Sequence, residues 1–270
     1  MNARWTIRAS AAGFWCWSAA TAAAATGPGA RVWLPEPITT TAPLIDQLFT
    51  LILIITGIAF VLVEGTLLAF LVRYRHRPGR AATYTHGNVL VEIVWTAIPA
   101  LILVWLAIYS QHIWAKVRGA PPPEDLRIGI TAEQFVWNIR YPGADGALNT
   151  ADDITTINQL HLPVGKTILI QLTSKDVIHS FFVPQFRMKQ DAVPGLTGRV
   201  WVSVTKPGHY DIACAELCGL GHFRMRGFLT AETPEAFQGW LTQKAPPAPV
   251  GVASTPVTPP ATPPAPAAVH

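Results

Sequence analysis

The chain has 270 residues, 50% of them hydrophobic and only 13% charged, well below the ~25% charge of ordinary soluble domains. Its formal charge of +4 comes without a basic stripe, so nucleic-acid binding has no support. Three cysteines, Cys16, Cys214 and Cys218, exclude a disulfide-built scaffold.

In chain order, residues 1–25 read as a secretory signal peptide. Arg4 and Arg8 precede an alanine-rich apolar stretch that includes Cys16 and ends in small residues. Residues 40–115 read as a transmembrane helical hairpin with helices over about 48–72 and 89–112. Each is near the ~20 residues needed to cross a ~30 Å hydrocarbon core. The short connection carries Arg73, Arg75, Arg77 and Arg80, which places it on the cytoplasmic side. Both flanks of the hairpin then lie on the periplasmic or outer side of the cell's inner (plasma) membrane. Glu64 interrupts the first span about nine residues from that cluster, and Glu92 lies near the start of the second.

From residue 120 to 244 the pattern changes. Short segments near 127–133, 135–141, 155–161, 166–174, 177–184, 197–204, 209–214 and 223–230 are rich in β-branched and aromatic residues. Turn residues separate them, which predicts an antiparallel sandwich or barrel. The intervening stretch with Asp145, Asn149, Asp152 and Asp153 fits no EF-hand spacing and reads as a hairpin excursion. "TPEAFQGWLTQK" closes the domain as a helix, with Thr233 as N-cap and Pro234 at the first helical position. Residues 245–270 are Pro/Ala-rich and predict a disordered tail.

The chemistry concentrates in "CAELCGLGHFRM", residues 214–225. Gly219 and Gly221 disfavour a helix there, so the stretch reads as a loop between strands that gathers its donors around one point. Thiolate, imidazole and thioether select copper over hard cations. A mononuclear blue-copper site uses one Cys, two His and a weak axial Met, whereas two thiolates can bridge two metal ions. A second imidazole is then needed, and His179, 35 residues before Cys214, is the candidate, presented by a strand of the facing sheet. A disulfide between Cys214 and Cys218, or a zinc site of two Cys and two His, is the competing reading. The zinc site leaves Met225 without a role.

These residues resemble cytochrome c oxidase subunit II. The family's C-x-E-x-C-x3-H-x2-M pattern with an upstream His is filled at every position, and "DVIHSFFVP", "KQDAVPG" and "VEIVWTAIPALIL" follow the family in order. The resemblance implies a two-helix hairpin followed by an all-β cupredoxin-like sandwich carrying a dinuclear copper (CuA) centre. It implies that Cys214 and Cys218 bridge two coppers and that His179 and His222 each bind one. Met225 and the backbone carbonyl of Glu216 are then the weak ligands. It further implies a magnesium ion on the Glu216 side chain, shared with subunit I, and Glu92 at the entrance of a proton path.

The implied activity is that of cytochrome c oxidase as a complex. Electrons from a c-type cytochrome pass through this chain to haem in subunit I, where oxygen is reduced with proton pumping. A copper-delivery chaperone is implied because C-x3-C thiols must stay reduced outside the cytoplasm. A CuA subunit of a nitric oxide reductase and a copper-free quinol-oxidase-type subunit are the alternatives; intact copper ligands oppose the second. One departure stands out. The family's Gln-Trp-aromatic-Trp run reads "EQFVWNIRY" here, so Phe135 holds the place of the Trp that receives electrons, and Trp137 matches the second Trp.

Overall fold

The computed structural model describes residues 34–81, 83, 84 and 86–245. The expected signal peptide, Cys16 and all but the first residue of the Pro/Ala-rich tail lie outside them.

Two helices, α1 (Ala42–Arg73) and α2 (Val89–Arg118), are long and apolar enough to cross a membrane. At 1.5 Å per residue, α1 is about 48 Å long. It is therefore longer than a ~30 Å hydrocarbon core, as is α2, and both helices run past the expected limits at their outer ends. Asn88 starts α2: its side chain accepts from the N–H groups of Leu90 and Val91 at 3.0 and 3.2 Å. Arg73 and the pair Lys116 and Arg118 sit in the last turns, where cations favour the helix dipole.

Ten strands follow: β1 (Leu126–Glu133), β2 (Val136–Tyr141), β3 (Ile154–Ile157), β4 (Gln159–Pro163), β5 (Thr167–Ser174), β6 (His179–Val183), β7 (Met188–Ala192), β8 (Gly198–Ser203), β9 (Gly208–Cys214) and β10 (Arg226–Glu232). They form two five-stranded sheets, in the orders β3-β2-β1-β5-β8 and β4-β10-β9-β6-β7. Alternate residues such as Ile128, Ile130, Trp137, Ile139, Ile168, Ile170, Phe181 and Leu229 point inward and form one core. Helix α3 (Pro234–Lys244) closes the sandwich, with the Thr233 hydroxyl accepting from the Ala236 N–H and Phe237 buried.

The sheets are not purely antiparallel, contrary to the expectation. β1 pairs with β5 and β10 with β4 in parallel. The expected strand 155–161 is two strands in different sheets. Asn158, between them, has φ 58° and turns the chain from one sheet to the other. β7 was not anticipated, because "MKQDA" shows little apolar alternation. The acidic excursion is a self-satisfied turn: Asp145, Asp152 and Asp153 accept backbone N–H groups of Ala147, Asp145 and Asn149.

The segment ahead of α1 is stitched to the sandwich. Ile38 is fully buried, its N–H donates to Gln185 O at 3.2 Å, and its carbonyl accepts from Thr205 N at 2.7 Å. Arg187 grips Asp46 of α1 with Nε at 2.6 Å and its η2 nitrogen at 3.1 Å, and also donates to the carbonyls of Pro184 and Pro35. Arg118, at the end of α2, donates to Gln190 Oε1 at 2.7 Å and to Lys189 O at 2.8 Å.

Candidate metal centre

The donor loop joins two antiparallel neighbours, β9 and β10, and β6 lies beside β9. Register pairs Phe181 with Cys214, which sets His179, two residues earlier, alongside the start of the loop. Ala215 N donates to Ser180 O at 2.9 Å and Cys214 N to Met225 O at 3.2 Å, pinning both ends of the loop to the sheet. The loop finishes in a short 3-10 turn over His222–Arg224. His179 therefore comes from the same sheet as the loop, not from the facing one. The facing sheet contributes instead the β1–β2 turn and Trp137.

The ligating atoms of His179, Cys214 and Cys218 lie within 4.8 Å of one another. The sulfurs are 3.8 Å apart and both cysteines are free, far from the ~2.05 Å of a disulfide. His179 Nδ1 is 3.1 Å from Met225 Sδ and 3.9 Å from Cys214 Sγ. Cys218 Sγ is 3.5 Å from His222 Nδ1 and 3.8 Å from Met225 Sδ. Cys214 Sγ lies 3.3 Å from the Glu216 carbonyl oxygen, which thus faces the cluster. All six groups expected to ligate meet at one place.

The surroundings prepare these groups for metal. His179 is fully buried. Its Nε2 is 2.8 Å from Asp176 Oδ1. A carboxylate can only accept, so Nε2 carries the proton and the Nδ1 lone pair faces the sulfurs. Burial works against the Asp176 charge, but hydrogen bonds from His179 and from the N–H groups of Gln134 and Val177 outweigh it and hold the carboxyl at about 2. Burial, then the neighbouring Cys214, push the Cys218 thiol up to about 11. Loss of that proton is favoured when a cation arrives to take the thiolate. Two soft sulfurs, an oriented imidazole, a second imidazole and a thioether suit copper and leave no oxygen-rich cage for a hard cation.

Residues 31–113 match the family described as cytochrome c oxidase subunit II, transmembrane domain, and residues 132–231 match its periplasmic domain. The chain belongs to the cytochrome c oxidase subunit II family. It is 34% identical to cytochrome c oxidase subunit 2 of Thermostichus vulcanus, over 84% of this chain and 81% of that one. It is 31% identical to the alternative cytochrome c oxidase subunit 2 of Bradyrhizobium diazoefficiens, over 78% of this chain and 84% of that one. A crystal structure of the periplasmic domain of subunit II of cytochrome oxidase of Bradyrhizobium japonicum is 30% identical, with a TM-score of 0.41, covering 46% of this chain and 96% of that one.

Within this subunit II chain the remaining expected residues fall in distinct places. Trp137 is fully buried, with its ring edge-on to His179 at 6.3 Å, and so has no surface of its own. Phe135 is half-buried at the β1–β2 turn and packs over the donor loop. A Cβ at Gly221 would lie 2.4 Å from its ring, which explains that glycine. The Glu216 side chain is exposed, 4.0 Å from Lys189 Nζ. Glu92 occupies the first turn of α2, with its carboxylate folded over Gly87. Gln134, which the sequence did not single out as a site residue, donates from Nε2 to the Cys218 carbonyl at 2.5 Å.

Proposed function

We propose that this chain takes single electrons from a c-type cytochrome and delivers them to haem in subunit I of a cytochrome c oxidase, where oxygen is reduced to water with proton pumping. What carries the reading is the convergence of His179, from β6, on Cys214 and Cys218 of a loop 35 residues away, with all three ligating atoms inside 4.8 Å. A copper pair bound here would supply a one-electron store.

The chain's own residues provide the rest. Cys214 and Cys218 would hold the copper through their sulfurs. His179 and His222 offer Nδ1, and Met225 and the Glu216 carbonyl serve as weak ligands. Three paired strands, β6, β9 and β10, hold these groups, so little rearrangement accompanies a change of charge. Burial of His179, Cys218 and Met225 keeps water from the centre. Phe135 packs against the loop and is the group at which a donor meets the chain, and Trp137 backs His179.

The Arg73–Arg80 cluster sets the β-domain on the periplasmic side of the inner membrane. A copper-delivery chaperone supplies the metal to reduced thiols. Glu216 takes part in a magnesium site completed by subunit I, and Glu92 stands at the entrance of a proton path in that subunit.

The test is copper loading of the full-length chain in detergent. Two coppers per chain and a seven-line electron spin resonance pattern in the mixed-valence state are expected. One copper with a four-line pattern would refute the dinuclear reading. Cys218→Ser should abolish the shared-electron spectrum while the chain still folds; an unaltered spectrum would exclude bridging by that sulfur.

A further inference from the structure

We infer that Gln134 is a positioning residue that ties both halves of the donor cluster to one strut from the opposite sheet. This inference rests on the copper reading above. Gln134 lies in the turn between β1 and β2, whereas His179 and the donor loop belong to the other sheet. Two arms leave this one residue. Its side-chain amide donates to the Cys218 carbonyl at 2.5 Å. Its backbone N–H donates to Asp176 Oδ2 at 2.7 Å, and Asp176 Oδ1 accepts from His179 Nε2 at 2.8 Å. The first arm fixes the peptide that follows the sulfur-bearing residue. The second fixes the ring whose Nδ1 faces the sulfurs. If the two sheets shift against each other, both arms move together and the imidazole keeps its place relative to the sulfur.

The loop is built to admit this strut. Gly219 has φ +134°, and a Cβ there would meet Gln134 Nε2 at 2.7 Å; Gly221 leaves room for the adjoining Phe135 ring. Glycine at both positions lets the turn lie against bare backbone, at the cost that the Cys218–Gly219 peptide is free to rotate unless something holds it. The Gln134 amide is what holds it. The side chain is exposed and adds nothing to the core, so losing its amide removes one hydrogen bond and leaves the fold nearly as stable. Its effect on the centre is larger, because groups that orient metal ligands typically change metal affinity about 10–100-fold.

The experiment compares the full-length chain in detergent with Gln134→Leu, which keeps the volume and removes the amide, and Gln134→Glu, which turns a donor towards the carbonyl into an acceptor. For both, melting should stay within a few degrees of the parent. Copper affinity, measured by chelator competition, should fall about 10-fold. The hyperfine pattern should change, and the reduction potential should drop because an N–H dipole that favours the extra electron is gone. Parent-like affinity, hyperfine splitting and potential in Gln134→Leu would overturn the inference. A separate arm needs no metal. The alkylation rate of Cys218 in the copper-free chain should rise several-fold in Gln134→Leu, and an equal rate would also overturn it. If the parent chain binds no copper pair, the functional reading fails by itself while this second arm still decides the role of Gln134.

Discussion

A single carboxylate decides which nitrogen of His179 faces the sulfurs. Asp176 accepts from His179 Nε2 at 2.8 Å, from Gln134 N at 2.7 Å and from Val177 N at 2.6 Å. Asp176→Ala strands three donors and frees the ring to turn over or change tautomer. Copper affinity should fall about 10–100-fold, and Asp176→Asn, which keeps one acceptor oxygen, should fall less. Competition with a chelator measures both; an Asp176→Ala chain that holds copper as tightly as the parent would remove Asp176 from the account. At this scale much was legible in the sequence. Four donors within twelve residues announce soft-metal chemistry by type and spacing, and the need for a second imidazole singles out His179. The sheet that supplies His179 was misjudged, because strand order is not written in the spacing. Gln134 stands in the quoted run, but its role is not legible for a physical reason: an amide has no metal-ligand signature, and only the packing of two sheets brings position 134 to position 218.

Among the elements, the turn from β3 to β4 decides how the two sheets share the chain. Asn158 holds φ 58°, its Oδ1 accepts from Trp137 N and its N–H donates to Trp137 O, both at 2.8 Å, and its carbonyl accepts from Phe228 N at 2.7 Å. Trp137 belongs to one sheet and Phe228 to the other. A left-handed conformation costs a residue with a Cβ roughly 1–2 kcal/mol, which Asn partly escapes and Gly avoids. Asn158→Gly therefore loses only the side-chain hydrogen bond, whereas Asn158→Ala loses the bond and gains strain. Melting temperatures should fall in the order parent, Gly, Ala. An Ala variant as stable as the Gly variant would show that the turn imposes no strain. The alternation of β8 is readable, with Val200 and Val202 on one face, because that strand buries one face of a sheet. The split of 155–161 is not, since a single Asn158 separates Ile154–Ile157 from Gln159–Pro163 and neither Gly nor Pro between them marks the change of sheet.

For the whole molecule, the question is how a membrane hairpin and a β-sandwich hold a fixed relation. The sequence shows both parts and nothing of the joint. The joint depends on Arg187, a non-glycine residue at φ 57° whose side chain is 8% exposed and whose guanidinium forks onto Asp46. A planar fork in a partly buried site is not replaceable by a point charge. Arg187→Asn isolates the clamp, because Asn tolerates the left-handed backbone while losing the charge and the reach. The loss of charge-assisted hydrogen bonds to Asp46 should cost about 2–3 kcal/mol locally. The cost falls on the strap ahead of α1, whose Ile38 N–H and Thr205 N–H form the ladder to the sandwich. Local opening of that ladder should then become about 30–150-fold more frequent. Hydrogen exchange at those two amides would show it as a matching rise in rate, with Arg187→Lys recovering only part. The amides of Ile130 and Leu172, deep in the β3-β2-β1-β5-β8 sheet, should exchange as before. A rise at all four would mean that Arg187 supports the whole sandwich, and no rise at Ile38 and Thr205 would mean that the strap is held by the burial of Ile38 alone.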